Sequence, residues 1–216
     1  MKWDADDRAR ALALTPVSET ALVRLDKFVA LLLDWQRRIN LIAPSTVPEL
    51  WTRHVADSLQ LLDLAPNARI WVDFGSGGGF PGLAIACVLA DRPDAQVHLV
   101  ESNTRKAAFL REAVRVAGAA ATVHAERIEN FGESFSGPVD VVCARALAPL
   151  KQLCDQSFPL IRRGAVGLFP KGQDVDAELT EAAKYWRIAA EKSASRTSSG
   201  GQIVIVRRLD SRKSGH

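Results

Sequence analysis

The chain has 216 residues, of which 47% are hydrophobic and 25% are charged, and its net charge is +3. This composition predicts a single packed domain and excludes a chain that is disordered throughout. No apolar run approaches the roughly 18 residues that a membrane span needs, and the N-terminus lacks the pattern of a secretory signal. We therefore expect a cytoplasmic protein without a membrane partner.

Cysteine and histidine are scattered along the chain. Cys87, Cys143 and Cys154 form no C-x-x-C pair, and the four histidines show no H-E-x-x-H spacing. The pattern predicts neither a disulfide framework nor a metal site. Because Cys87 and Cys143 lie in apolar stretches, we expect them to be buried, reduced thiols.

The N-terminal part of the chain predicts a helical extension ahead of the first strand. We expect the first 20 residues to be loosely structured, since Pro16 and its polar neighbours interrupt them. Apolar residues then recur at helical spacing from Ser18, a predicted N-cap, to Arg38. A second helix is predicted from Thr46, where the sequence has the form of a capping box, to about Leu64.

From residue 69 onward, predicted strands alternate with predicted helices. The strands are Arg69–Phe74, Gln96–Glu101, Thr122–His124, Val139–Ala144, Ala165–Phe169, Trp186–Ala190 and Gln202–Arg208. The helices are Gly82–Ala90, Thr104–Ala117, Leu150–Ile161 and Val175–Lys184. This alternation predicts an α/β fold with a doubly wound, mostly parallel sheet.

The last two predicted strands are separated only by the polar segment 193–201, which is too short for a helical crossover. They are therefore expected to pair antiparallel at the sheet edge. Seven predicted strands of which the last is antiparallel resemble the Rossmann-like arrangement of class I methyltransferases. We divide the chain into an N-terminal helical cap (1–65), a methyltransferase domain (66–209) and a flexible tail (210–216).

A glycine-rich loop follows the first predicted strand, with five glycines in residues 75–82. Ligands of open α/β sheets bind beyond the carboxyl ends of the strands, and glycine lets a backbone turn sharply and approach a ligand. The loop therefore predicts a nucleotide-like ligand and not merely a structural turn.

Two cofactors compete for this loop. The run Gly77–Gly82 has the form G-x-G-x-x-G, which is typical of dinucleotide sites. Three observations count against a dinucleotide: the run begins three residues after the strand, Asp73 would repel a pyrophosphate but attract the ammonium of a methionine moiety, and the chain has no room for a separate substrate domain. The D-x-G-x-G run from Asp73 through Gly75 to Gly77 favours S-adenosylmethionine.

Three further positions belong to the predicted cleft. Glu101 ends the second strand, where a carboxylate accepts hydrogen bonds from ribose hydroxyls, although a solvated strand end is the alternative. Glu126 and Glu129 follow the third strand, where the adenine edge is held, and spacing does not choose between them. Arg145 follows the apolar fourth strand and is expected to point into the same cleft.

In this order and spacing, these features resemble the RsmG (GidB) family of bacterial 16S ribosomal RNA guanine-N7 methyltransferases, over about residues 20–208. The segments that carry the resemblance are Asn40-Leu41, Arg53–Ser58, Val72–Gly82, Arg127–Glu129, Cys143–Ala146 and Lys171-Gly172. The resemblance implies S-adenosylmethionine as cofactor, N7 of guanine 527 as methyl acceptor, and 16S ribosomal RNA or the small ribosomal subunit as partner. We expect a monomer without a metal.

The resemblance also assigns residues. Those that match the family's cofactor contacts are Gly75, Phe80, Ile128, Glu129 and Arg145; with Asp73, Gly77 and Glu101 they form the predicted cofactor set. The positions at the cleft mouth are Asn40, Arg53, His54, Asp57, Ser58 and Lys171. Of these, Arg53, His54, Ser58 and Lys171 are the RNA candidates, and Asn40, His54, Asp57 and Lys171 the catalytic candidates. Two positions depart from the family pattern near the expected RNA contacts: Ile42 stands where many members have threonine, and Gly200-Gly201 where basic residues are common.

The implied chemistry needs few residues. Guanine N7 carries a lone pair and no proton, so alignment of the reacting atoms replaces a general base. His54 and Asp57, spaced i,i+3, are interpreted as structural or RNA-positioning and not as a proton-transfer pair. The competing hypotheses are methylation of another nucleic acid or a small molecule, a nicotinamide-dependent oxidoreductase, and a non-catalytic protein that binds S-adenosylmethionine and RNA.

Overall fold

The computed structural model describes residues 4–212. Its first helix, α1, spans Ala5–Leu14, so the prediction of a loosely structured N-terminus was wrong. The helix is stabilised by two acids. Asp4 caps it by accepting a hydrogen bond from Asp6 N, and the fully buried Asp7 accepts hydrogen bonds from the backbone N–H groups of Trp51 and Thr52. The second contact is tertiary, which explains why local sequence did not indicate it.

Helix α2 spans Glu19–Trp35 and begins at the predicted cap, where Ser18 Oγ accepts a hydrogen bond from Ala21 N. Its apolar stripe, which includes Leu25, Phe28 and Leu32, is fully buried. This face packs against the two helices that cover one face of the sheet, α5 and α6. The stripe therefore anchors the N-terminal extension to the sheet domain.

The second predicted helix is broken into short pieces. A 3-10 helix spans Pro44–Thr46, a π-helical segment spans Trp51–Ala56, and α3 (Asp57–Leu59) and α4 (Leu61–Leu64) complete the run. The predicted capping box was wrong, because Thr46 Oγ1 donates to Ala43 O and caps no helix. The wider π turn occurs where Arg53 and His54 lie, and such turns are frequent at functional sites.

Seven strands form one sheet in the order β3-β2-β1-β4-β5-β7-β6. Their bounds are β1 (Ile70–Phe74), β2 (Gln96–Val100), β3 (Ala121–His124), β4 (Val141–Cys143), β5 (Val166–Lys171), β6 (Trp186–Ala194) and β7 (Gln202–Ser211). The helices between them are α5 (Gly82–Leu89), α6 (Thr104–Ala117), α7 (Ile128–Ser134), α8 (Leu150–Ile161) and α9 (Val175–Ala182). Helix α7 was not predicted.

The sheet confirms the predicted class I methyltransferase architecture. Strands β1 to β5 pair in parallel, whereas β7 pairs antiparallel with both β5 and β6. Strand β7 continues to Ser211, so residues 210 and 211 of the predicted tail belong to the strand. Arg212 follows in a turn and donates its N–H to Tyr185 O, whereas residues 213–216 lie outside the described residues.

Both faces of the sheet are covered. Successive β1 side chains alternate between the faces, with Trp71 in the cluster under α2, α5 and α6 and Val72 in the cluster under α7, α8 and α9. Helices on both faces leave the loops at the carboxyl ends of the parallel strands as the open edge. Within residues 4–212, no helix combines the length and apolarity that a membrane span requires.

Candidate active site

Two cavities open at the carboxyl ends of the parallel strands, one on each side of Arg145. The strand register sets their position, because Asp73 at the end of β1 lies beside Leu99 of β2 and Cys143 of β4. The loops that follow these strands therefore meet at one edge, as expected for ligand sites in open sheets. Arg145 and Ala146 line both cavities.

The first, named here the glycine-loop cavity, has a volume of about 380 Å³. It lies between the loops after β1, β2, β3 and β4, and its walls carry charges of both signs. Its lining residues are Gly75, Gly77, Val100, Glu101, Ser102, Lys106, Arg127, Ile128, Glu129, Arg145, Ala146, Leu147, Gln152 and Gln156. Six of the eight predicted cofactor residues are among them.

Glu101 is the most firmly placed acid of this cavity. Its Oε2 accepts a hydrogen bond from Gly77 N at 2.9 Å, and its Oε1 accepts one from Asn103 N at 2.7 Å. Each oxygen keeps a further lone pair, so the carboxylate has capacity to accept hydrogen bonds from a ligand. The backbone contacts hold it at the cavity wall, where it is only 8% exposed.

The floor of the cavity is backbone at Gly75. This residue has φ +66°, and a Cβ here would lie 2.6 Å from Leu147 Cδ1. A side chain would therefore be strained and would collide with the loop after β4. Gly75 N donates to Val100 O, which ties the glycine loop to the neighbouring strand.

Asp73 does not face the cavity. Its side chain is fully buried beneath the loop, and its Oδ2 accepts a hydrogen bond from Gly82 N at 3.0 Å, at the first residue of α5. Burial raises the pKa of this carboxyl to about 7. Asp73 instead caps helix α5 from inside the fold, and its contact with a ligand's ammonium stays a prediction.

The far end of the cavity is formed by the start of α7. Ile128 and Glu129 line it and Glu126 does not, so of the two acids that spacing left open the cavity favours Glu129. Glu129 Oε1 accepts a hydrogen bond from Gln156 Nε2 at 3.1 Å. Two hydrogen bonds lower the pKa of Glu129: the larger effect comes from its own backbone amide and the smaller from Gln156.

Arg145 lies between the two cavities and is held there by several contacts. One guanidinium nitrogen donates to Arg53 O at 3.0 Å and lies 3.5 Å from Asp57 Oδ2, and the other lies 2.7 Å from His54 Nδ1. The guanidinium also stacks over the ring of Phe80, at 5.5 Å from its centroid. With its side chain only 18% exposed, Arg145 is fixed in place by the N-terminal extension.

His54 has a structural role in this arrangement, as the hydrogen-bond acceptor for Arg145. Arginine only donates, so His54 Nδ1 accepts from Arg145, and Nε2–H then donates to Thr46 Oγ1 at 2.7 Å. Burial, with the nearby charges of Arg145 and Arg53, lowers the pKa of His54 to about 3. The imidazole is therefore neutral at physiological pH and supports Arg145.

The second, named here the hairpin cavity, has a volume of about 450 Å³. It lies between the helical segment 49–57 and the loop joining β6 and β7, with β5 at its base. Its lining residues are Glu49, Thr52, Arg53, Asp57, Arg145, Ala146, Pro170, Lys171, Gly172, Ser195, Thr197, Ser198, Ser199, Gly201 and Gln202. Hydroxyl and charged groups dominate this wall.

The β6–β7 loop is fastened to the N-terminal extension by side chains. Asp57 Oδ1 accepts a hydrogen bond from Thr197 Oγ1 at 2.7 Å, and Gln60 Oε1 accepts one from Arg196 N at 2.9 Å. Arg196 also forms an ion pair with Asp63 at 2.6 Å. Asp57 thereby links this loop to Arg145.

Lys171 is engaged inside the protein. Its Nζ donates to Ala148 O at 2.9 Å and pairs with Glu178 at 2.6 Å, and its side chain is 10% exposed. Glu178 in turn accepts a hydrogen bond from Leu150 N. Lys171 therefore borders the hairpin cavity while it fixes the loop between β4 and α8.

Four other predicted site residues do not line either cavity. Asn40 is exposed and accepts a hydrogen bond from Gln36 Nε2 at 3.2 Å. Ser58 is fully buried and donates to His54 O at 2.6 Å, so it offers no surface to RNA. His54 and Phe80 are 7% and 4% exposed, and both contact Arg145. The structure thus separates the residues that border the cavities from those that support them.

The structure also shows cavity residues that sequence reasoning missed. Glu49 and Thr52 line the hairpin cavity together with Arg53 and Asp57, and the spacing of these four positions along the chain was a signal that the sequence carried. The hydroxyl-rich run Ser195–Ser199 was interpreted only as a polar connection, and nothing in its sequence indicated which segment it would contact. The two departures are structural: Ile42 is buried, and Gly201 N donates to Ser198 O within the hairpin turn.

The burial of the cysteines agrees with the prediction made from the sequence. Cys87, Cys143 and Cys154 are all free and buried, as expected for Cys87 and Cys143. Burial raises the pKa of the Cys143 thiol well above its usual range. In the described part of the chain, no three His, Cys, Asp or Glu side chains converge as a metal site would require.

Comparison with known proteins gives consistent matches. Residues 21–206 match the GidB family model, described as rRNA small subunit methyltransferase G. A protein of Bradyrhizobium sp. strain BTAi1 named ribosomal RNA small subunit methyltransferase G is 62% identical over 202 residues, which cover 94% of this chain and 91% of that protein. A Nitrobacter hamburgensis protein of the same name is 55% identical over 208 residues, with coverage of 96% and 80%.

Solved structures agree on the fold. The O-methyltransferase TomG from Streptomyces achromogenes, solved in complex with S-adenosylmethionine, superimposes with a TM-score of 0.60 at 16% identity. The match covers 94% of this chain and 96% of TomG. At this identity the likeness supports the architecture alone, which is that of the class I methyltransferases.

Proposed function

This chain belongs to the rRNA small subunit methyltransferase G family, and on that premise we propose that it transfers a methyl group from S-adenosylmethionine to N7 of guanine 527 in 16S ribosomal RNA. The main support is that two cavities meet at Arg145. The glycine-loop cavity contains the Glu101 carboxylate, and the hairpin cavity is open and rich in hydroxyl groups. We assign the first to the cofactor and the second to the target nucleotide, and the site of action to the cytoplasm.

The glycine-loop cavity fits S-adenosylmethionine. Its volume lies in the range of small-molecule sites, and its wall offers the Glu101 carboxylate to ribose hydroxyls. Ile128 and Glu129 also line this cavity, and we assign Ile128 to the apolar surface against the adenine and Glu129 to the base edge. The backbone floor at Gly75 admits a ligand to within contact distance of the loop.

A dinucleotide fits poorly at the same loop. In dinucleotide sites the pyrophosphate lies at the N-terminus of the helix after the glycine loop. Here the Asp73 carboxyl group occupies that position from beneath the loop and accepts a hydrogen bond from Gly82 N. The first amide of α5 is therefore already engaged and is not free to bind a pyrophosphate, so the formal G-x-G-x-x-G run does not support a nicotinamide cofactor.

When bound, S-adenosylmethionine supplies a methyl group on a sulfonium, which passes to the N7 lone pair while the C–S bonding electrons remain on sulfur and the positive charge moves to guanine. The chain then needs to align the two partners and to exclude water. Arg145, held by His54 and Asp57, fixes the boundary between the cavities. Lys171 and Glu178 hold the loop that carries Ala146 and Leu147 against the same boundary.

No protein group acts as a general base in this proposal. N7 loses no proton, and among the residues that the structure describes the histidine beside the cavities is His54, whose two ring nitrogens are already engaged by Arg145 and Thr46. Chemistry therefore rests on positioning. This accounts for the absence, among the described residues at the site, of an exposed nucleophile paired with a base.

The proposal is tested on ribosomal RNA itself. Mass spectrometry of 16S ribosomal RNA from cells that lack the protein is expected to show guanine 527 without its N7 methyl group, with the modification restored by the purified protein and S-adenosylmethionine. Full methylation in the deleted cells would contradict the assignment. Calorimetry of the purified chain distinguishes the two candidate cofactors. Binding of NAD without binding of S-adenosylmethionine would contradict the methyltransferase assignment.

A further inference from the structure

If the proposed function holds, the atom to be methylated restricts how the target base is recognised. The commonest protein contact to guanine is a bidentate one from arginine to O6 and N7. N7 must instead point at the methyl donor, so its lone pair is unavailable for such a contact. Recognition of guanine must therefore come from its Watson–Crick edge, the edge that enzymes commonly contact when they flip a base.

That edge of guanine presents two adjacent donors, N1–H and the N2 amino group. Adenine presents an acceptor at N1 and no amino group at C2, so a pair of acceptor oxygens distinguishes the two purines. Among side chains, an ionised carboxylate supplies two acceptors and no donor. The hairpin cavity should thus contain a carboxylate that is not already engaged by the protein.

Two carboxylates line this cavity, Glu49 and Asp57. Asp57 is held by the protein through both oxygens: Oδ1 accepts hydrogen bonds from Thr197 Oγ1 and Gln60 Nε2, and Oδ2 faces Arg145. The Glu49 side chain is exposed to the cavity and forms no hydrogen bond or ion pair within the described part of the chain. Arg53, one helical turn away on the same face, does not pair with it.

We propose that Glu49 recognises the target guanine by accepting hydrogen bonds from N1–H and the N2 amino group. The contact directs the opposite, N7-bearing side of the base toward the glycine-loop cavity. It also places a negative charge beside a base that gains a positive charge on methylation, which favours the reaction over mere binding. Glu49 is thus a specificity-determining residue of the proposed reaction.

The test compares two target bases on one enzyme. Small subunits are reconstituted from 16S ribosomal RNA that carries guanosine or inosine at position 527, since inosine keeps N1–H and lacks the N2 amino group. Single-turnover methyl transfer is measured with enzyme in excess, so that slow rates remain measurable. The wild-type chain is expected to favour guanosine by roughly tenfold or more, and Glu49→Gln to reduce that preference to about twofold.

The control is Glu19→Gln, which removes the same charge at the start of α2, away from both cavities, and is expected to keep the full preference. A Glu49→Gln variant that is slower on both substrates but keeps the wild-type preference overturns the proposal. Equal rates on guanosine and inosine by the wild-type chain also overturn it. Failure of the wild-type chain to methylate guanosine at all contradicts the proposed function itself.

Discussion

The two cavities beside Arg145 are held in shape by different kinds of contact. The glycine-loop cavity is formed by loops that leave neighbouring parallel strands, and its key acid, Glu101, is held by two backbone N–H groups. The hairpin cavity is formed by segments far apart in the chain, and side chains join them: Thr197 and Asp57 are 140 residues apart. One site is therefore positioned by the sheet, whereas the other depends on a few side-chain hydrogen bonds between separate elements.

This difference has an energetic consequence. Backbone contacts that belong to the strand register are lost only if the sheet itself is disturbed. A single side-chain hydrogen bond contributes about 1 kcal/mol, so the β6–β7 loop is held to the N-terminal extension by a small free energy. We expect the cofactor side to be preorganised and the substrate side to adjust when RNA binds.

The largest effect is expected from Gly77→Asp, which acts on the cofactor side alone. Gly77 has φ +51° and donates its N–H to Glu101, so an added carboxylate would lie close to that acid. Affinity for S-adenosylmethionine, measured by calorimetry, should fall by roughly a hundredfold or more through bulk and charge repulsion. Gly118→Asp is the matched control, because Gly118 also has positive φ but has no neighbour within 4 Å. Unchanged affinity in Gly77→Asp would remove the loop from the site.

Arg145→Ala should damage both cavities at once. The change leaves the Asp57 carboxylate and His54 Nδ1 without their shared donor, and we expect a loss of about 2–4 kcal/mol in the free energy of unfolding. Urea denaturation measures that loss, and turnover on small subunits should fall at least tenfold. Arg208→Ala, at a side chain that is 76% exposed, is the control. Equal stability and turnover in the two variants would show that Arg145 is only a surface residue.

The smallest effect is expected from Thr197→Val, which acts on the substrate side alone. The variant keeps the shape of the side chain but removes its hydrogen bond to Asp57. KM for the RNA substrate should rise about fivefold, as a loss of about 1 kcal/mol implies, while cofactor affinity stays within about twofold. Thr180→Val, which removes a local hydrogen bond on α9, serves as control. A parallel loss of cofactor affinity would contradict the separation of the two cavities.

Much of the fold could be predicted because its signals are local. The apolar stripe of α2, the alternation of strands and helices and the short connection between β6 and β7 each reflect side-chain periodicity or loop length. Helix α1 could not be predicted, since its stability depends on Asp7 accepting hydrogen bonds from residues more than 40 positions away. The fragmented helical segment 51–64 was likewise hidden, because a π turn leaves no clear mark in the apolar pattern.

Within the site, the same division holds. The sequence alone determined that the glycine loop after β1 and Glu101 at the end of β2 would meet at one edge of the sheet, because strand ends and glycine spacing follow from chain order. Only the tertiary structure decided that Asp73 points inward to α5, that His54 and Asp57 support Arg145, and that Ser195–Ser199 face Glu49 across a cavity. The physical reason is that the direction of a side chain, and the distant partner that satisfies its charge or hydrogen bonds, are set by packing between segments that chain order does not relate.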